Sequence, residues 1–151
     1  MLKIKKGTSR IVMIVSFLPF VIKFPVIKIK GAIGEIRRVG IVKFVRFTYR
    51  HRRASMGSWT CLYGGIAANQ REFSLFLKTR DKRLMPTYFS FFGMFNIQKK
   101  GSKEGVYPEG LDIVDFRING DSHAAVNPAN FLDGRLVDYG DNDAVDYFVR
   151  K

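Results

Sequence analysis

The sequence predicts an α+β fold in which an antiparallel sheet packs against one long helix. Three observations lead there. Short runs rich in Val, Ile and Phe, bounded by turn residues, occur at the front and again in the middle of the chain. Only residues 60–80 carry apolar positions at helical spacing over a long stretch. The length of 151 residues, 46% apolar and 26% charged, suits one core and falls short of two. Residues 1–151 are therefore expected to form a single domain.

Arg10–Ser16 and Phe20–Phe24 read as two strands of a hairpin, turning at Leu18-Pro19. The apolar run Ile11–Ile22 follows Lys3, Lys5, Lys6 and Arg10, as in a signal peptide. It has no small-residue cleavage site, and a bilayer span needs about 20 residues. Buried strands fit it better, and no membrane partner is expected. Val26–Lys30 extends the sheet, and the alternation in Ile41–Tyr49 predicts another strand. Ser58 is a candidate cap for the helix over 60–80, whose stripe is Leu62, Ile66, Phe73, Phe76 and Leu77. Tyr88–Phe92 and Met94–Gln98 flank Gly93 and predict a second hairpin, which the helix should cover through Phe73 and Phe76. Leu111–Ile118 reads as a strand, 121–130 as a loop, and Phe131–Val137 as a hairpin turning at Asp133-Gly134.

Charge is distributed unevenly. The net charge is +13 overall, yet residues 1–54 alone hold 14 Lys and Arg against the single acid Glu35, while residues 110–151 carry an excess of acid. A basic front attracts nucleic acid, anionic lipid or an acidic protein. Arg46, Arg50, Arg52 and Arg53, with Lys28, Lys30 and Lys43, are candidate phosphate contacts, and Tyr49 and Trp59 offer stacking faces. One cysteine, Cys61, excludes an internal disulfide and a Cys-based zinc site, and fits a reducing cytosol. His51 and His123 have no second ligand at metal spacing.

The stretch with most chemistry is residues 119–140, where His123, Pro128, Asn130, the Asp133-Gly134 turn and Asp138-Tyr139-Gly140 follow one another. It resembles the active-site segment of the protein-kinase-like superfamily, especially its small-molecule and bacterial branches. The resemblance implies that Asn130 and Asp138 hold magnesium bridging the phosphates of ATP. It implies further that Lys23 pairs with the phosphates, that Glu72 is its ion-pair partner, and that Asn96-Ile97-Gln98 forms the hinge against the adenine edge. In that register Ala125 stands where the catalytic aspartate belongs, and alanine cannot accept the substrate proton. A shifted register would give the role to Asp121. The expectation is a truncated pseudokinase-like module: a kinase-like N-lobe with a remnant catalytic loop, binding a nucleotide and acting through protein contacts in a bacterial or phage-associated cytoplasm. The alternatives are a basic nucleic-acid-binding protein and a small structural subunit of a larger assembly.

Overall fold

The computed structural model describes residues 1–7, 10–50 and 62–150. Its front is a meander of three strands rich in Val and Ile: β1 (Leu2–Lys6), β2 (Arg10–Val15) and β3 (Phe20–Pro25). The reversal between β2 and β3 is closed by Leu18 N donating to Val15 O at 3.2 Å. Farther along come β4 (Thr87–Phe91) and β5 (Phe95–Lys99). All pair antiparallel in one five-stranded sheet of order β1-β2-β3-β5-β4. Phe20–Phe24 and the aromatic hairpin thus share one sheet, as expected.

Register decides which side chains share a face, because successive residues point to opposite sides. Val12 pairs with Lys23, Lys23 with Asn96 and Val21 with Gln98, so these residues line one face together with Arg10. The opposite face collects Met13, Ile22, Phe24, Ile97, Phe95, Phe89 and Phe91. Phe24, Phe89 and Phe91 each lie within 6.2 Å of the Phe95 ring, centroid to centroid, and all three remain exposed. The sheet is inverted: its polar face is buried and its aromatic face is bare.

The long helix, α3 (Gly64–Thr79), covers the polar face. Residues 60 and 61, the proposed cap Ser58, His51, Cys61 and Trp59 lie outside the described residues. The expected stripe needs correction. Leu77 is exposed and Phe73 only half-buried, whereas Ala68, Asn69, Glu72, Leu75 and Phe76 are buried. The helix seats on polar side chains because the sheet face beneath it is polar, and the aromatic face receives no cover from it.

Three strand expectations are overturned. Val26–Lys30 leaves the sheet and enters α1 (Ile29–Val39), and Ile41–Tyr49 forms α2 (Ile41–Arg50). Both read as strands because Val, Ile and Phe favour strands, but their apolar side falls into register only at 3.6 residues per turn. The two helices join at Gly40 and bury Ala32 of α1 and Phe44 of α2 in a small separate cluster with Leu62. Leu111–Ile118 is also helical, as α4 (Ile113–Asn119). Asp112 caps it by accepting from Val114 N and Asp115 N at 3.0 Å each.

The loop expected over 121–130 contains a short helix, α5 (Ser122–Val126), and a 3-10 turn, Pro128–Asn130. Strands β6 (Phe131–Leu132) and β7 (Arg135–Leu136) make the expected hairpin, with Asp133 and Gly134 both at positive φ. The chain closes with α6 (Asn142–Arg150). The main core lies here, joining Leu75 and Phe76 of α3 to Met85, Phe116, Phe131, Leu136, Tyr139 and Phe148. Among the described residues no helix is long and apolar enough to cross a membrane.

Candidate functional site

Strand β3 carries Lys23 on the covered face of the sheet, and α3 lies across that face with Glu72 turned inward. The Lys23 ammonium donates to Glu72 Oε2 at 2.9 Å and to Oε1 at 3.1 Å. Both side chains are removed from solvent. Burial at this depth favours neutral groups, and a pair survives there only with close geometry and further hydrogen bonds. Those bonds exist: Lys23 also donates to Val137 O, and Gln98 Nε2 donates to Glu72 Oε1 at 3.3 Å.

A third charge completes the arrangement. Arg10, at the start of β2, is 5% exposed and donates through one guanidinium nitrogen to Glu72 Oε2 at 2.6 Å. Its other terminal nitrogen pairs with Asp138. Two cations and two carboxylates thus form a chain from Lys23 through Glu72 and Arg10 to Asp138. Burial lowers the Lys23 ammonium to about 8 against the attraction of Glu72, and repulsion from Arg10 adds to the lowering. Burial by itself would raise the Glu72 carboxyl, yet Lys23 and Arg10 together hold it below its ordinary range.

Lys23, Arg10 and Asp138 of this chain line a cavity of about 310 Å³. Gly7, which follows β1, is among its lining residues. Six cations border it: Lys5, Lys6, Arg10, Lys23, Lys99 and Lys100. Gln98, Asn130 and Asp138 also line it, and Val12, Ile14, Val21, Leu132 and Val137 supply apolar wall. An apolar slot with concentrated positive charge suits a flat ring bearing anionic groups. Asp138 is the only carboxylate among the described residues of its lining.

The sequence-derived residues divide clearly. Lys23 and Glu72 meet although 49 positions apart, and Asn130 and Asp138 border the same cavity as Lys23. Gln98 reaches the cavity wall, but its amide is turned inward to Glu72, Thr87 and Val137. Asn96 lies away from the cavity, fully buried, donating Nδ2 to Asn69 O at 2.9 Å. It braces α3 against β5.

Ala125 is buried in the main core on α5, and Asp121 caps that helix by accepting from Ala124 N at 2.9 Å. Neither borders the cavity. Burial raises the Asp121 carboxyl, and the charge of Asp141 adds to the effect. Arg46 and Arg50 sit on α2, away from this cavity, while Arg52 and Arg53 lie outside the described residues.

A magnesium ion fits this donor set poorly. The one carboxylate of the lining is already engaged by the Arg10 guanidinium, and a divalent ion would have to displace it. Among the described residues no three His, Cys, Asp or Glu side chains gather as a metal would need.

Arg10 is the functional residue that sequence reasoning missed. A signal was present: its position puts it in phase with Val12 and Ile14, facing inward, where a lone arginine needs a partner. Tyr139 was noticed only as part of a motif. Its hydroxyl donates to Met85 O at 2.6 Å and lies 2.9 Å from Thr87 Oγ1, which fixes the segment that presents Asp138. Next to it, Gly140 is obligatory, since a Cβ there would stand 2.3 Å from Ala68 O of α3.

No family model, no curated protein and no solved structure matches the chain.

Proposed function

We propose that the chain is a kinase-like binding module. It holds a phosphate-bearing ligand, a nucleotide, in the cavity lined by Lys23, Arg10 and Asp138, transfers no phosphoryl group, and acts through contacts with another protein. The observation that carries this reading is the buried pair of Lys23 on the third strand with Glu72 on a helix, set at a cavity ringed by cations. Protein kinases require an ion pair of that kind, between a third-strand lysine and a helix glutamate, to hold ATP phosphates. The Asp133-Gly134 hairpin, which returns Asp138 beside Asn130 at the cavity rim, supports it further.

The places of three residues support binding without transfer. A general base must come within hydrogen-bond reach of the attacking hydroxyl. Ala125 is in the core, Asp121 is spent on a helix cap, and Asp138 is paired with Arg10. In this reading Lys23 meets the phosphates while it holds Glu72, the surplus charge comes from Lys5, Lys6, Lys99 and Lys100 around the cavity, and the ligand binds without a divalent ion. The bare aromatic sheet face leaves surface for a protein partner.

The test is thermal denaturation with ATP and with ADP, each in magnesium and in EDTA. A ligand at about 100 times its Kd adds roughly 2.7 kcal/mol to stability. The expected result is a rise in Tm of similar size in both buffers, lost in Lys23→Met. No rise with either nucleotide at millimolar concentration would overturn the reading.

A further inference from the structure

Helix α2 sorts its residues into three adjoining rows. Phe44 faces α1 and is buried. Next around the helix come Ile41, Val45 and Tyr49, at i, i+4 and i+8, with Val42 beside them, and all four are exposed. The exposure is large for aliphatic residues: 62% for Ile41, 79% for Val42 and 58% for Val45. Beyond that row stand Lys43, Arg46 and Arg50. Helix α1 repeats the order, with Ala32 buried, Ile29 and Ile33 exposed, and Lys30 and Arg37 following. Over residues 28–50 there is one carboxylate, Glu35, and it is held by Arg38 at 2.7 Å.

We propose that α1 and α2 form a lipid-binding surface that lies on anionic bilayers, with the exposed Ile and Val rows sunk among the headgroups and the flanking Lys and Arg on their phosphates and carboxylates. A helix lies in the plane of a membrane when a strongly cationic face adjoins an apolar one and its net hydrophobicity is low. Both conditions hold here. The apolar row selects lipid over the other anionic partner, nucleic acid. Phosphate contacts call for Lys and Arg, and a polynucleotide gives exposed Ile41, Val42 and Val45 nothing to bury against. An anionic surface complements the seven cations of residues 28–50, and the acyl region takes up the aliphatic side chains. Such a surface is distinct from a membrane span, which no helix among the described residues could form.

The experiment is co-sedimentation of the full chain with vesicles of phosphatidylcholine, with and without phosphatidylserine, alongside titration with duplex and single-stranded DNA. Binding to the anionic vesicles only, weakened by salt, is expected. Lys43→Gln with Arg46→Gln should reduce it about twenty-five-fold, each cation near an anionic surface being worth roughly fivefold. Ile41→Ser with Val45→Ser should reduce it at least about tenfold without altering DNA titrations or the far-ultraviolet circular dichroism, because both residues are on the surface. Failure to sediment with anionic vesicles would overturn the proposal. So would undiminished sedimentation of the Ile41→Ser, Val45→Ser protein, which would mean that charge alone does the binding. Tight DNA binding without vesicle binding would assign the same helices to nucleic acid instead. Nucleotide-induced stabilisation is read separately, so its absence bears on the cavity and not on this surface.

Discussion

Arg10 and Asp138 are joined beside the cavity, one from the first residue of β2 and the other from the segment after the last hairpin. Because Arg10 also holds Glu72, the carboxylate best placed to receive a cation already has one. Replacing Arg10 by Met should release Asp138. The expected outcome is a magnesium-dependent component of nucleotide binding, measured by calorimetry, that the unaltered protein lacks. Equal binding of the variant in magnesium and EDTA would mean that Arg10 does not stand in the metal's place.

Breaking the buried pair should be costly. Glu72→Ala strands the Lys23 charge and leaves Arg10 with Asp138 alone, and an uncompensated charge at such depth costs about 3–5 kcal/mol. Urea denaturation reads this directly. A loss below about 1 kcal/mol would show that solvent reaches the pair.

Lys23 also sets a pH dependence. Its folded value, about 8, lies below the ordinary lysine value of 10.5, so the unfolded chain holds the proton more tightly between those limits. Stability should therefore rise with pH from about 8 to 10.5 relative to Lys23→Met, and that contribution is lost as pH falls through 8. Anion binding runs the opposite way. Phosphate needs the charged ammonium, so nucleotide affinity should weaken above pH 8 by up to roughly tenfold per unit. Affinity that stays flat from pH 7 to 9.5 would remove Lys23 from the site.

Gly140→Ala tests the close approach of the Asp138 segment to α3. A methyl group 2.3 Å from Ala68 O must push the two apart, at a cost of about 1–3 kcal/mol. Loss of nucleotide binding beyond the loss of stability would show that this contact positions Asp138. A variant as stable as the parent would show that the segment can move away.

Legibility in the sequence followed the strength of local signals. Strands β2 to β5 and the Asp133-Gly134 hairpin were readable because alternation and turn dipeptides agreed. Helices α2 and α4 were misread because Val, Ile and Phe carry strand propensity. The decisive marks were quieter: Lys43, Arg46 and Arg50 on one row of α2, and Asp112 as the cap of α4. Strand β1 was hidden by Lys3, Lys5 and Lys6, which suggested a leader more than an edge strand. The pairing of Lys23 with Glu72 came from a resemblance, since no local rule joins positions 49 apart. The place of Arg10 needed the register of β2 against β3, which only the folded sheet supplies.

The buried charges also bear on whether the chain could be divided. Cut after β5, the front would keep five strands and α3, and by appearance could stand alone. It would retain Arg10 and Lys23 but only Glu72 between them, leaving one surplus positive charge in its interior. The Val137 carbonyl that receives Lys23 and Gln98 would be gone as well. Asp138 is thus a closing counter-charge delivered late by the chain, and the linked charges of Lys23, Glu72 and Arg10 are balanced only after the last hairpin has docked. A ribosome would release the front of this molecule long before it is able to settle.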